Sequence, residues 1–263
     1  MHKSQHSEVI ILSPEKQCTF ENKWYYDIAQ PSHFWIEGRF KVFMNLINQA
    51  GMDIHKPLQG MEIGCGNSVV RSELEARSSW IVDGSDLDLH GLQLAKNSKG
   101  KIYLYDILEQ NPMFKERYDF LILFDVIEHI PDVARFMDAC LFHLKKGGIM
   151  FINVPALQRL FSVYDQVQGH QLRYVKSTLR RVLPESKFNI IDMRYWGLSL
   201  VPLVFIRKVM SHSSQNPETV IRKGFQPPRQ GINNILRKIL LFEMRILPTP
   251  VMGTSLFAVV QKI

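Results

Sequence analysis

The chain has 263 residues, 46% of them hydrophobic and 11% aromatic, with a net charge of +7, which excludes a disordered polyelectrolyte and leaves room for one large domain with an elaboration or two small ones. Cys18, Cys65 and Cys140 lie far apart without metal-ligand spacing, arguing against structural zinc and for a reducing compartment. No stretch reaches the roughly 18 apolar residues of a membrane span, and Val9 to Leu12 is too short for a signal-peptide core, so the expected location is cytoplasmic.

Residues 1–20 read as a poorly structured lead-in, with 1–23 expected to be flexible and 24–263 to form a single domain. From Trp24 to Ala50 apolar residues recur at helical spacing: His33-Phe34-Trp35, then Phe40, Val42, Phe43, Leu46 and Ile47, with Gly51 as a stop. The aromatics suit a core, and Arg39 is the exception on that face. Next comes Met61-Glu62-Ile63-Gly64-Cys65-Gly66-Asn67-Ser68, a short apolar run into a glycine turn and then a helix near Val69. Gly64 and Gly66 give backbone freedom and close access for a ligand, although such a pair alone is usually only a turn.

Strand-like runs then appear at 58–63, 80–82, 101–105, 118–124 and 149–154, separated by helix-like segments at 69–76, 89–97 and 133–144. Lys145-Lys146-Gly147-Gly148 reads as a helix stop. A helix at 176–183, a strand at 188–194 and a last strand at 255–261 follow. This alternation predicts an α/β fold with a doubly wound, mostly parallel seven-stranded sheet, an N-terminal helix and a helical insert between the last two strands. In such sheets ligands bind beyond the carboxyl ends of the strands, at the switch point.

Asp86 follows Gly66 by twenty residues and ends the second strand, where a carboxylate can hold ribose hydroxyls. Val69 stands where a dinucleotide fingerprint has its third glycine, Glu62 suits an ammonium better than a pyrophosphate, and Asp106 is placed to read an adenine edge. The fourth strand runs into Asp125-Val126-Ile127-Glu128-His129-Ile130-Pro131-Asp132. With Val154-Pro155-Ala156, Asp165, Gly169-His170 and Arg173-Tyr174, this pattern resembles the class I S-adenosylmethionine-dependent methyltransferases. The resemblance is nearest to the branch of ubiquinone-type O-methyltransferases and bacterial envelope-associated relatives, and Ser68 departs from the glycine many members carry. It implies a Rossmann-like methyltransferase fold binding S-adenosyl-L-methionine. Glu62, Gly64, Cys65 and Gly66 would surround the methionine moiety, Asp86 with Leu87 the ribose, and Asp106 with Ile107 the adenine. Phe124 and Asp125 would approach from the fourth strand, and Arg39 would meet the cofactor carboxylate.

Methyl transfer to oxygen needs a base, and His129 and His170 are the candidates. The competing reading of His129 is a structural histidine bonded to backbone. Asp165, Arg173 and Tyr174 are expected to bind the acceptor, with a loop-anchoring network as the alternative. No metal site is expected, although a helical turn would group Asp125, Glu128 and His129 on one face where a divalent ion could sit. An NAD-dependent oxidoreductase on the same sheet, and a non-enzymatic module of the same fold, are the other functional readings.

From Gln171 onward there are 15 Lys/Arg against 4 Asp/Glu; before it there are 17 against 21. The basic character thus belongs to the C-terminal third, where residues 196–252 form a basic amphipathic insert with a Ser/Gln/Pro-rich linker at 211–230 and a helix at 232–247. Either this insert caps the sheet, or it lies on an anionic membrane at the inner face or closes over a lipid-linked acceptor. Its basic residues are interleaved with Leu and Ile and not with stacking aromatics, which favours membrane over nucleic acid. The acceptor is expected to be a small molecule, a lipid-linked molecule or a saccharide.

Overall fold

The structure, a computed structural model, describes residues 8–15, 31–95, 98–211 and 229–263. Its strands are β1 (Val9–Ile11), β2 (Gln59–Ile63), β3 (Ile81–Asp86), β4 (Ile102–Leu104), β5 (Tyr118–Phe124), β6 (Leu144–Pro155), β7 (Phe188–Trp196) and β8 (Ser255–Lys262). The helices are α1 (Phe34–Gln49), α2 (Val69–Arg77), α3 (Leu89–Gln93), α4 (Val133–His143), α5 (Val163–Val167), α6 (Lys176–Arg181), α7 (Val201–Ser211) and α8 (Gln230–Ile246). One eight-stranded sheet has the order β1-β4-β3-β2-β5-β6-β8-β7. Strands β1 to β6 pair in parallel, and β8 is antiparallel to both β6 and β7.

Seven strands are those expected, and the eighth, within the lead-in expected to be flexible, corrects that reading for Val9–Ile11 alone. Val9-Ile10-Ile11 pairs with Ile102, Tyr103 and Leu104 at the sheet edge, and the backbone N–H groups of Leu12 and Ser13 both donate to the Leu104 carbonyl at 3.0 Å. A short apolar run next to an unpaired strand edge gains ladder bonds by joining it. Residues 1–7 and 16–30, including the Trp24 start of the aromatic stretch, lie outside the described residues, as do 96–97 and the linker at 212–228. A second difference is the Lys145–Gly148 stop, which falls inside β6. The β5–β6 register shifts between Tyr118 and Phe120, and Gly147 at φ +74° carries the irregularity.

Alternation within the strands divides the core. Leu121 and Leu123 of β5 face one cluster, with Met61, Tyr103, Met150 and Ile152. Phe120, Ile122 and Phe124 face the other, with Phe43, Leu46, Trp80 and Phe151. Helix α1 supplies Phe43, whose ring meets Phe124 and Phe151 edge-on at 5.0 Å each. Helix α8 packs on α1, with Leu240 against Gly38. Asn233 of α8 also accepts from the Phe34 N–H at 2.9 Å and donates to the Ser32 carbonyl at 3.0 Å, tying the two helices at the α1 N-terminus. The strand order reverses between β2 and β5, so the carboxyl ends of these strands, at Ile63 and Phe124, flank the switch-point crevice.

Candidate functional site

The glycine turn sits at that crevice. Gly64 has φ +74° and Gly66 φ +49°, and a Cβ on Gly64 would lie 2.6 Å from Val126 Cγ2. Ser68, where the resemblance has a glycine, takes φ 64° as the residue before α2, so the serine holds the left-handed geometry itself. Asp86 locks the turn. One carboxylate oxygen accepts from Gly66 N–H at 2.7 Å, and the other accepts from Leu87 and Asp88 N–H at 2.7 and 2.9 Å. Burial raises the Asp86 carboxyl above its ordinary value, opposed by those three N–H groups.

Glu62 is buried at the end of β2 and accepts from Arg71 N–H, in the first turn of α2, at 3.0 Å. Burial pushes its carboxyl up to about 7 against the pull of that N–H and of the Arg39 and Arg71 charges. The Arg71 guanidinium turns away from the turn and donates to the Val82 carbonyl at 2.6 Å and to Ser98 Oγ at 2.5 Å. Arg39 comes in from α1. Its guanidinium lies 4.5 Å from the Trp35 ring and 5.1 Å from the Phe124 ring, and it is ion-paired with Asp125. Arg39 Nε has no hydrogen-bond partner. Arg39, Glu62, Gly64, Cys65, Gly66 and Phe124 line one cleft, whose enclosed part is about 40 Å³. Asp125, at φ 57°, is further held by Asn153 Nδ2 at 2.9 Å. A larger cavity of about 330 Å³, lined by Leu58, Lys145 and Gly148 among others, lies at the amino ends of β2 and β6, away from this convergence.

Asp106 and Ile107 stand at the carboxyl end of β4, but Ile107 points into the core, which leaves only its backbone to face a ligand. Asp106 is buried, its carboxylate accepts from Leu108 N–H at 2.9 Å, and its own N–H donates to Ser13 Oγ at 2.9 Å. The strand β1 segment therefore closes over this corner. No motif announced Ser13; the only signal was the apolar run just before it.

Beyond β5, a 3-10 turn (Ile127–His129) brings Glu128 and His129 beside His170, with the two imidazoles 4.7 Å apart and edge to face. The chain after β6 folds back through Asp165. That carboxylate is fully buried and accepts from His170 Nδ1 at 3.1 Å and Arg173 Nε at 2.8 Å through one oxygen, and from Ser162 N–H at 2.9 Å through the other. Burial would raise the Asp165 carboxyl, but the bonds from His170 and Arg173 and the Arg173 charge outweigh it and hold the group below its ordinary value. Arg173 also donates to the Ala156 carbonyl at 3.3 Å, and the buried Tyr174 hydroxyl donates to the Ile127 carbonyl at 3.3 Å.

Of the two readings of Asp165, Arg173 and Tyr174, acceptor contact or a loop-anchoring network, these bonds are those of the network that carries His170. The three residues are buried, and their polar atoms bond protein groups. His129 is exposed, yet crowding and the neighbouring His170 hold its imidazole below the ordinary range. Glu128 is fully buried with both carboxylate oxygens unpartnered, and burial, then the Asp125 charge, pushes it well above the usual carboxylate range. Glu128, His129 and His170 each offer a ligand atom, all within 4.8 Å of one another, so this trio could hold a metal ion.

Comparison with known proteins gives this site its context. A family profile described as a methyltransferase domain matches residues 35–194. A ubiquinone biosynthesis O-methyltransferase of Serratia proteamaculans is 26% identical over 161 residues, covering 54% of this chain and 66% of the relative, so the chain spans just under two thirds of that relative's length. Among solved structures, a SAM-dependent methyltransferase of Archaeoglobus fulgidus superposes with TM-score 0.52 at 14% identity, over 85% of this chain and 94% of that one. The [4+2]-cyclase SpnF superposes with TM-score 0.58 at 13% identity, over 87% of this chain and 82% of that one. These two show the fold.

Proposed function

The chain belongs to the methyltransferase domain family, and from that premise we propose that it transfers the methyl group of S-adenosyl-L-methionine to an oxygen of a small-molecule, lipid-linked or saccharide acceptor. The observation that carries the reading is the Gly64–Gly66 turn locked by Asp86, sharing a cleft with Arg39, whose partner Asp125 at the end of β5 is also within electrostatic reach of His170. The donor set fits the cofactor: Arg39 is a cation with an unused Nε at the cleft, Glu62 supplies a carboxylate beside it, and Asp86 another at the end of β3. In this assignment Arg39 takes the cofactor carboxylate, Glu62 the ammonium side, Asp86 the ribose hydroxyls and the backbone at Asp106–Ile107 the adenine. The enclosed cleft of about 40 Å³ is far below the roughly 300–1,000 Å³ of small-molecule sites.

When bound, the sulfonium supplies the electrophilic methyl, so the protein's task is alignment and removal of one proton. His170 does the latter. Its Nδ1 faces the Asp165 carboxylate, an acceptor only, so Nδ1 carries the hydrogen and Nε2 keeps its lone pair for the acceptor hydroxyl proton. His129, with its depressed basicity, lines the same pocket as a neutral partner.

A second reading is favoured by one observation, the unpartnered buried Glu128 carboxylate next to two imidazoles. A divalent ion on Glu128, His129 and His170 would lower the pKa of an acceptor hydroxyl in place of a histidine base. Calorimetric titration with S-adenosylhomocysteine tests the main reading: wild type binds, Asp86→Ala binds at least about tenfold more weakly through loss of a charge-assisted hydrogen bond, and absence of binding by folded protein refutes it. The same titration with Mn²⁺ or Zn²⁺, in wild type and Glu128→Gln, separates base from metal.

A further inference from the structure

Among the described residues, helix α8 is attached through one buried face. Leu240 and Glu243 are buried, and Glu243 accepts from the N–H groups of Gly197, Leu198 and Ser199 at 3.0, 2.9 and 2.7 Å, which pins the helix to the 3-10 turn that leads into α7. Another face carries a second apolar stripe that the described residues leave exposed. Ile232, Ile235, Ile239, Phe242 and Ile246 follow the 3-4-3-4 spacing of a single helical stripe and are 50%, 58%, 43%, 64% and 62% exposed. The insert as a whole is where such surface collects: twelve of the eighteen large hydrophobic residues exposed among the described residues fall between Leu203 and Met252. On α7, Leu203, Phe205, Ile206 and Val209 are open in the same way.

Charge identifies what covers the stripe. Lys238 stands three residues after Ile235 and four before Phe242, and Arg245 three after Phe242, so both cations edge the stripe on adjoining turns. Neither has an ion-pair partner among the described residues. Residues 197–254 hold eight Lys/Arg against two Glu, and one of those two, Glu243, is turned inward and spent on backbone. A second copy of this chain would bring cations against cations. An anionic bilayer offers the complement of both features, acyl chains for the isoleucines and phenylalanine and lipid phosphates for Lys238 and Arg245. Among the described residues no helix is long and apolar enough to cross a membrane, so on a bilayer α8 would lie in the interface.

We infer that the protein docks on an anionic lipid surface through the Ile232–Ile246 stripe of α8 and its Lys238–Arg245 edge. The inference goes beyond the methyl-transfer reading and does not depend on it. Its test is co-sedimentation of the full chain with phosphatidylcholine vesicles and with phosphatidylcholine–phosphatidylglycerol vesicles across a salt series. Binding is expected to the anionic vesicles and to weaken as salt rises. The pair Lys238→Gln and Arg245→Gln lowers it about thirtyfold, and Ile235→Ser with Phe242→Ser lowers it about tenfold or more. All four residues are exposed, so thermal midpoints stay within a few degrees and show that the variants fold. Equal binding to neutral and anionic vesicles, or none to either, overturns the inference. So does a concentration-dependent dimer that Phe242→Ser dissolves without any vesicle binding, or retention of RNA in place of vesicles. Failure to bind S-adenosylhomocysteine would bear on the proposed activity and leave the vesicle result standing.

Discussion

Replacing Asp165 by Asn probes the site at its most connected side chain. The carboxylate is fully buried and receives His170 Nδ1, Arg173 Nε and the Ser162 N–H. An Asn carbonyl keeps one acceptor, but its amide nitrogen is a donor facing donors, and the buried Arg173 loses its counter-charge. Breaking a buried pair by neutralising one partner costs about 3–5 kcal/mol, and the retained acceptor places this case at about 3. Because the folded Asp165 carboxyl lies below its unfolded value, its stabilisation is present above the unfolded pKa and is lost as pH falls through the folded one. The gap between wild type and Asp165→Asn is therefore full at pH 7 and narrows below pH ~4. Urea unfolding of both proteins at pH 7 and pH 3, with unchanged m-values, measures it. A gap under about 1 kcal/mol at pH 7, or one equally large at pH 3, refutes the reasoning. A nitrogen-15 spectrum of His170 reads the same change differently: wild type holds the hydrogen on Nδ1, and the variant redistributes it.

Gly64→Ala forces an alanine to φ +74° with its Cβ 2.6 Å from Val126 Cγ2, so it should destabilise by about 2–4 kcal/mol. Calorimetry should also show weaker binding of S-adenosylhomocysteine, because the turn must shift. Glu243→Ala strands the N–H groups of Gly197, Leu198 and Ser199. Denaturant unfolding should report a loss of about 3 kcal/mol, with hydrogen exchange rising first at those three amides.

Much of this protein was legible in the chain because the signals are local. The alternation of strand and helix, the Gly64–Gly66 turn, Asp86 and the Asp125–Asp132 run each depend on spacing within one or two elements. Spacing within an element survives into the fold, since a strand or helix places side chains by its own period. Strand β1 was missed because Val9-Ile10-Ile11 has too short a period to read and becomes a strand only beside the open edge of β4.

What the folded molecule alone decided depends on residues far apart in sequence. For Arg173 and Tyr174 the sequence leaves acceptor contact and loop anchoring open; their bonds to Asp165 and the Ile127 carbonyl appear only in the fold. The His170 imidazole is oriented only through Asp165, and the Glu128 carboxyl is left without a hydrogen-bond partner by the packing around it. The apolar pattern of α8 was visible in sequence, but which of its two stripes faces the protein was not. Leu240 against Gly38 and Glu243 on the backbone at 197–199 settled that. Local pattern determines which elements form and which cofactor chemistry they resemble. Burial and partner choice, which set every charge and every exposed face here, belong to contacts that only the packed chain creates.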